Sequence, residues 1–309
     1  MNLKRSVYVI LVMVGRITLS HSFGSFRRAF AKHVLRQQHA VISDDNNNGD
    51  LMVAQHKEKA ATSEDTTISC IEDHVLHQKR VFDKMSDFFA TKQTIPDELV
   101  PVYQHLSSQI VQSAHQTGDS LTEENSRPKV IRVLDVACGT GNLFPFLLET
   151  GQQSNHTVQL TGVGVSSKMV EAARRFADEV SSDIEVTESD FLQYTPAQPF
   201  DVIVMNACFG NFWNQTSALE YAVTSHLLNE TGSIVVSHPL GAEFVQRLQE
   251  EDPTTVPHLL PTTKDEWKAL IGHLPLKLVS IDLNFGGKPY YFARLQKVPI
   301  GCASESIDE

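Results

Sequence analysis

The run Val133-Leu134-Asp135-Val136-Ala137-Cys138-Gly139-Thr140-Gly141-Asn142 decides how this chain is read. A β-branched apolar stretch ends in an acid, passes through a turn of small residues and glycines, and continues as Leu143-Phe144-Pro145-Phe146-Leu147-Leu148-Glu149. That order predicts a strand, a tight loop and a helix, the opening of a nucleotide-binding βαβ unit. Gly139 and Gly141 allow a sharp backbone turn and a close ligand approach, where a Cβ would stand in the way.

The ligand class follows from what the turn lacks. A dinucleotide fingerprint places a third glycine where Phe144 stands, and that glycine normally permits close helix–strand packing. An acid four residues before Gly139 would also repel a pyrophosphate. Asp135 suits a ligand with a cationic end and no phosphate. The pattern D-x-x-C-G-T-G, written here by Asp135, Cys138, Gly139, Thr140 and Gly141, resembles the first motif of the class I S-adenosylmethionine-dependent methyltransferases. S-adenosylmethionine, with a sulfonium, an ammonium and no phosphate, agrees with that charge.

The resemblance spans residues 71–297. It implies an α/β fold: a Rossmann-like seven-stranded sheet with an antiparallel last strand, helices on both faces and an N-terminal helical extension. It carries Asp135, Ala137, Cys138, Gly139 and Gly141 over as cofactor contacts on the first loop. Strands are expected at 130–136, 158–165, 184–187, 200–206 and 233–237, with a terminal hairpin of 276–283 and 290–295. Helices are expected after Gly141 as far as Thr150, stopped by Gly151; from the Ser166-Ser167 cap through Val180; and over 217–229, followed by a turn at Glu230-Thr231-Gly232. Thr263 and Glu266 form a capping box for a helix holding Trp267, Leu270 and Ile271.

The sequence departs from the family at the end of the second strand. An acid that holds the ribose hydroxyls is expected where Gly164 stands, although the surrounding Gly162-Val163-Gly164-Val165-Ser166 keeps the family context. The ribose would then rely on a backbone carbonyl, Ser166 or water. Losing one charge-assisted pair costs about 1.5–3 kcal/mol, roughly tenfold to a hundredfold in affinity. Asp190 is expected to accept from the adenine amine with Phe191 against the ring; a helix-capping role for Asp190 competes. Asn206 ends the fourth strand in the crevice where α/β folds bind ligands.

Acceptor-side candidates follow Asn206. Phe209 and Trp213 belong to an aromatic loop suited to an apolar or planar acceptor or to simple core packing, and an aromatic face also attracts a sulfonium. No proline follows Asn206, unlike the Asn/Asp-Pro-Pro-aromatic sequence of nucleobase- and glutamine-directed enzymes. His238, at the end of the fifth strand, is a candidate base or acceptor-binding residue by its near-neutral pKa, against a purely structural role. His258 and Trp267 lie in an insertion that builds the acceptor site in such enzymes. The implied reaction is in-line O- or C-methylation of a small organic acceptor. The other reading is a non-catalytic binding or regulatory protein, which Gly164 favours. Val81-Phe82-Asp83 faintly resembles quinone C-methyltransferases, and the Ser237–Gly241 segment resembles plant and algal methyltransferase-like proteins.

Two helices are expected before the first strand. The first carries Ile71, Val75, Gln78, Phe82, Met85 and Phe89 on one stripe; the second begins at Pro96. They serve either as a lid over the cofactor cleft or as packing against the sheet edge.

The 309 residues suit one domain of about 200 residues plus extensions. The net charge of −11 is uneven, because residues 1–43 hold seven Lys/Arg and no acid, leaving 19 basic against 37 acidic residues beyond. So acidic a body is a poor nucleic-acid binder and is repelled by anionic membranes. Val7–Gly15 is too short to span a bilayer and suits a signal-peptide core, making 1–22 signal-like. Residues 23–65 read as a transit-like segment and a polar linker. The combination resembles the bipartite presequences of algae with secondary plastids, so a plastid is expected, with the secretory pathway or mitochondrion as alternatives. Residues 66–126 hold the N-terminal helices, 127–297 the methyltransferase domain and 298–309 an acidic tail. No pair among Cys70, Cys138, Cys208 and Cys302 has metal-ligand spacing, so no metal is expected. The sequons at Asn155, Asn214 and Asn229 read as incidental.

Overall fold

A computed structural model describes residues 70–90, 95–114, 129–181 and 184–298. The signal-like and transit-like segments and residues 299–309 lie outside the described residues.

Seven strands and seven α-helices make up the described fold. In chain order they are α1 (Ile71–Ala90), α2 (Val100–Ser113), β1 (Lys129–Val136), α3 (Phe144–Gln153), β2 (His156–Gly164), α4 (Ser167–Val180), β3 (Ile184–Glu188), β4 (Phe200–Asn206), α5 (Gln215–Thr224), β5 (Leu228–His238), α6 (Ala242–Glu251), α7 (Lys264–Ile271), β6 (Leu276–Phe285) and β7 (Lys288–Lys297). The sheet order is β3-β2-β1-β4-β5-β7-β6. The first five strands run parallel, and β7 pairs antiparallel with both β5 and β6.

Both faces of the sheet are covered, which explains the near-continuous apolar runs of its central strands. Along β1, Ile131 and Val133 join one core with α2, α3 and α4, while Leu134 and Val136 join the other with α5 and α7. Asp135 shares the face of Ile131 and Val133. The chain reverses direction in strand order at β1 and β4, and the ligand crevice of such a sheet lies outside the carboxyl ends of the strands at this switch.

Several boundaries differ from expectation for packing reasons. Gly151 does not end α3. A Cβ there would stand 2.5 Å from Val158 Cγ2, so this glycine lets the helix lie close on β2. The turn comes later, at Asn155 with φ +58°. α5 ends at Thr224 rather than Asn229, and His226 turns the chain with φ +59°. Leu227 and Leu228 then enter the core, and Glu230-Thr231-Gly232 becomes an irregularity within β5. Lys297 fastens it, donating to Leu228 O and pairing with Glu230. Pro96 lies in a turn before α2, accepting from Leu99 and Val100 N–H groups, and Pro101 occupies the helix's first turn. Ser166 caps α4 and Thr263–Glu266 forms the capping box, as their sequence predicts.

Candidate active site

The β1 loop is built around Phe144. A Cβ on Gly141 would lie 2.7 Å from its ring, and one on Gly162 2.9 Å from it. The ring thus fills the space that a third glycine leaves empty in a dinucleotide site, and the glycines on either side make room for it. Gly139 (φ +58°) and Gly141 (φ +83°) take left-handed conformations, and so does Ala137 at φ +54°. A Cβ at Gly139 would meet nothing within 4 Å, so that glycine is demanded by the turn itself. At the end of β4, Ala207 repeats the strained conformation at φ +57°. Left-handed non-glycine residues at two adjacent strand ends mark a site where backbone geometry is imposed by its surroundings.

These strand ends open into a cavity of about 270 Å³. Asp135, Ala137, Cys138, Gly139, Gly164, Asp190, Phe191 and Asn206 all line it, as does Trp213. Burial pushes the Asp135 carboxyl up to about 8, with no opposing cause. An acid so placed gains from a cation beside it. Asp190 lines the cavity, and its Oδ1 accepts from Leu192 N–H at 3.1 Å, capping a short turn. Burial raises its pKa, and that hydrogen bond opposes the rise.

Three expected site residues stand elsewhere. Phe209 is core, stacked on Trp267 with ring centroids 5.7 Å apart, because both side chains are fully buried beneath the loop. Gly141 supports the turn without lining the cavity. His238 is also absent from the lining. Its Nδ1 accepts from Leu240 N–H at 3.2 Å, its ring packs on Phe244, and burial lowers its pKa to about 4. A nitrogen held in that way fixes the ring at the turn after β5, outside the cavity lining. Trp267 is core likewise, and His258 bonds Trp213 O at the rim.

The structure adds residues the sequence reading passed over. Tyr103 of α2 reaches the cavity beside Asn206, whose side chain opposes the rise of its pKa and whose Oδ1 accepts from Ser237 Oγ at 3.0 Å. Burial pushes its phenol up to about 12. His74 of α1 also lines the cavity. Its Nε2 lies 2.7 Å from Asn211 O, an arrangement that places the proton on this nitrogen, and burial lowers its pKa. The i, i+4 pairing of His74 with Gln78 beside the expected stripe was the available signal.

The two N-terminal helices divide the roles between them. α2 packs Val102, Leu106 and Ile110 into the sheet core. α1 lies over the cavity, with Ile71, Val75, Phe82 and Phe89 on its wall. It is tied to both rims. On one side Asp83 Oδ1 accepts from Ser166 Oγ at 2.6 Å and from Lys168 N–H at 3.2 Å, and Lys79 pairs with Glu188. On the other, Gln78 Nε2 donates to Thr255 O at 2.7 Å. Ser166 Oγ donates to Asp83 and accepts from Met169 N–H, which leaves it one acceptor lone pair.

Residues 133–232 match the family described as methyltransferase domain. Malonyl-[acyl-carrier protein] O-methyltransferase of Paenibacillus sp. (strain JDR-2) is 31% identical over 128 residues, covering 40% of this chain and 44% of that protein. Trans-aconitate 2-methyltransferase of Streptomyces avermitilis is 32% identical over 78 residues, covering 25% of this chain and 28% of that protein. The chain thus spans less than half the length of these curated relatives. Among solved structures, magnesium protoporphyrin IX methyltransferase from Synechocystis PCC 6803 with bound S-adenosylmethionine shares the fold, with a TM-score of 0.50 and 12% identity over 75% of this chain and 100% of that one. Residues 133–232 thus match a methyltransferase domain, and the chain shares the fold of a solved methyltransferase with bound S-adenosylmethionine.

Proposed function

We propose that this chain transfers the methyl group of S-adenosylmethionine to a small organic acceptor. The observation that carries the reading is one cavity joining two unlike halves. One half has the buried acid Asp135, the left-handed turn and Asp190; the other has the aromatic and apolar side chains of α1 and the β4 loop. The residues fit the cofactor: a carboxyl pushed up by burial alone meets a cationic ligand, and the turn leaves open space at Gly139. Asp135 would hold the cationic end, Asp190 the adenine amine and Phe191 the ring. When bound, the cofactor supplies an electrophilic methyl on a sulfonium.

The chain's own contribution is placement and exclusion of water. Methyl transfer by displacement needs the nucleophile in line, and fixing that geometry lowers the barrier entropically. α1, fastened at both rims, shields the reacting centre from solvent. Tyr103 and Asn206, at the junction of the two halves, are placed to orient the acceptor by hydrogen bonding. Its phenol stays protonated at neutral pH and so offers a donor rather than a base.

The relatives named above methylate a malonyl group and trans-aconitate, and the coarse class of small acceptor is carried over from them, not those acceptors. The test is incubation with labelled S-adenosylmethionine and a panel of phenols and quinones. Labelled product together with S-adenosylhomocysteine supports the reading. The second reading, a binding protein with this fold, rests on Gly164; cofactor binding without transfer to any acceptor favours it.

A further inference from the structure

We propose that the acceptor half of the cavity takes a largely apolar molecule bearing no anionic group near its reacting atom, and rejects carboxylates and phosphates. This rests on the methyl-transfer reading above and narrows it to a substrate class.

Among the described residues lining the cavity there is no lysine or arginine. Its ionisable acids are Asp135 and Asp190, so any field from ionised side chains is negative. The polar groups on the acceptor side are neutral: Gln78, Asn206, Asn211, the Tyr103 phenol and His74, whose pKa burial lowers. The rest of that wall is Val75, Phe82, Phe89, Phe212 and Trp213.

On the acceptor side the two usual ways to hold a buried anion are missing or taken; the uncapped start of α3, at Asn142 and Leu143, lies in the other half beside Gly139 and Thr140. Proteins bind carboxylates and phosphates with Arg or Lys, and nearby Lys79 is paired with Glu188. They also use helix N-termini. The start of α4, which reaches the cavity through Ser166, is occupied: Asp83 accepts from Lys168 N–H, and Ser166 Oγ accepts from Met169 N–H. With S-adenosylhomocysteine bound, which carries no sulfonium, an acceptor anion would therefore lose its water without gaining a charged partner, the costly case for buried charge. An uncharged planar molecule loses little and gains the aromatic wall.

The test uses two probes with the same ring system. The full chain, loaded with S-adenosylhomocysteine, is titrated at pH 7.5 with 2-naphthol and with 2-naphthoate by calorimetry. The naphthol is expected to bind at least tenfold more tightly. Val75→Arg, a change on the partly exposed α1 wall, is expected to narrow or reverse that ratio. Equal or tighter binding of the naphthoate to the unmodified chain, or no binding of the naphthol, would overturn the inference. Failure of S-adenosylhomocysteine to load is a separate result, which rejects the methyl-transfer reading itself.

Discussion

Replacing Asp135 with asparagine should stabilise the ligand-free protein while destroying its cofactor site. Asp135 is 3% exposed, and burial moves its carboxyl from 3.8 to about 8. The folded chain therefore holds a proton that the unfolded chain gives up between those values. The sign follows: stability is greatest below the unfolded pKa and is lost as pH rises towards about 8. The slope is about 1.4 kcal/mol per pH unit, or about 4 kcal/mol between pH 5 and pH 8. Asparagine has no such slope. At about 2–4 °C per kcal/mol for a domain of this size, the melting temperature of Asp135→Asn should gain about 10 °C on the unmodified chain across that interval. Thermal melts of both proteins from pH 5 to 8 measure this directly. S-adenosylmethionine should raise the melting temperature of the unmodified chain only. Two curves that stay parallel across the range would refute the reasoning, because Asp135 would then be ionised and solvated in the empty cleft.

Other outcomes follow from the same geometry. Gly164→Asp should tighten S-adenosylmethionine binding roughly tenfold to a hundredfold, because a Cβ there makes only ordinary contact with Val170, at 3.6 Å, and leaves room for a carboxylate; unchanged affinity by calorimetry would mean the ribose has another partner. Asp83→Ala removes the cap that α1 places on α4, at a cost of about 1–2 kcal/mol, and should be read as faster amide exchange across 71–90 and faster cofactor release. His238→Gln should leave turnover unchanged and flatten the acid limb of stability. His238 holds its pKa near 4, so its contribution is present above the unfolded value of 6.5 and is lost as pH falls towards 4; a large loss of turnover would restore it as a catalytic residue. A fluorescent protein fused behind residues 1–65 should reach the plastid of an alga with secondary plastids, and a reticular, secreted or mitochondrial signal would contradict that address.

The part of the cavity around Asp135 was legible in the sequence because it is local. Asp135, the glycine turn and the strand that ends at Asn206 each lie within one strand–loop–helix unit, where spacing alone sets geometry. Gly164 was legible as a departure for the same reason. Of the opposite wall, the α1 stripe and Trp213 were legible by spacing, but their convergence was not, because that wall is assembled across more than 100 residues of sequence. His74 meets Asn211, and Tyr103 meets Asn206, only after α1 and α2 fold back over the strand ends. His238 stands at the carboxyl end of a central strand, where catalytic groups are often mounted, and its spacing gave no sign of the hydrogen bond from Leu240 N–H that holds its ring outside the cavity lining. Gly151 misled in the opposite direction: read as a helix stop, it is a point of close contact with Val158. The aromatic loop divided after folding, with Phe209 going to the core and Trp213 to the cavity, since Phe209 alone lies over Trp267.

The central claim, that the cleft beneath α1 binds S-adenosylmethionine through Asp135, is tested most directly by calorimetric titration of the full chain and of Asp135→Ala with S-adenosylmethionine. The account predicts micromolar binding to the unmodified chain, near one equivalent, and its loss in the variant. A folded, unmodified chain that takes up no heat at millimolar cofactor, or a variant that binds as well as its parent, would contradict it.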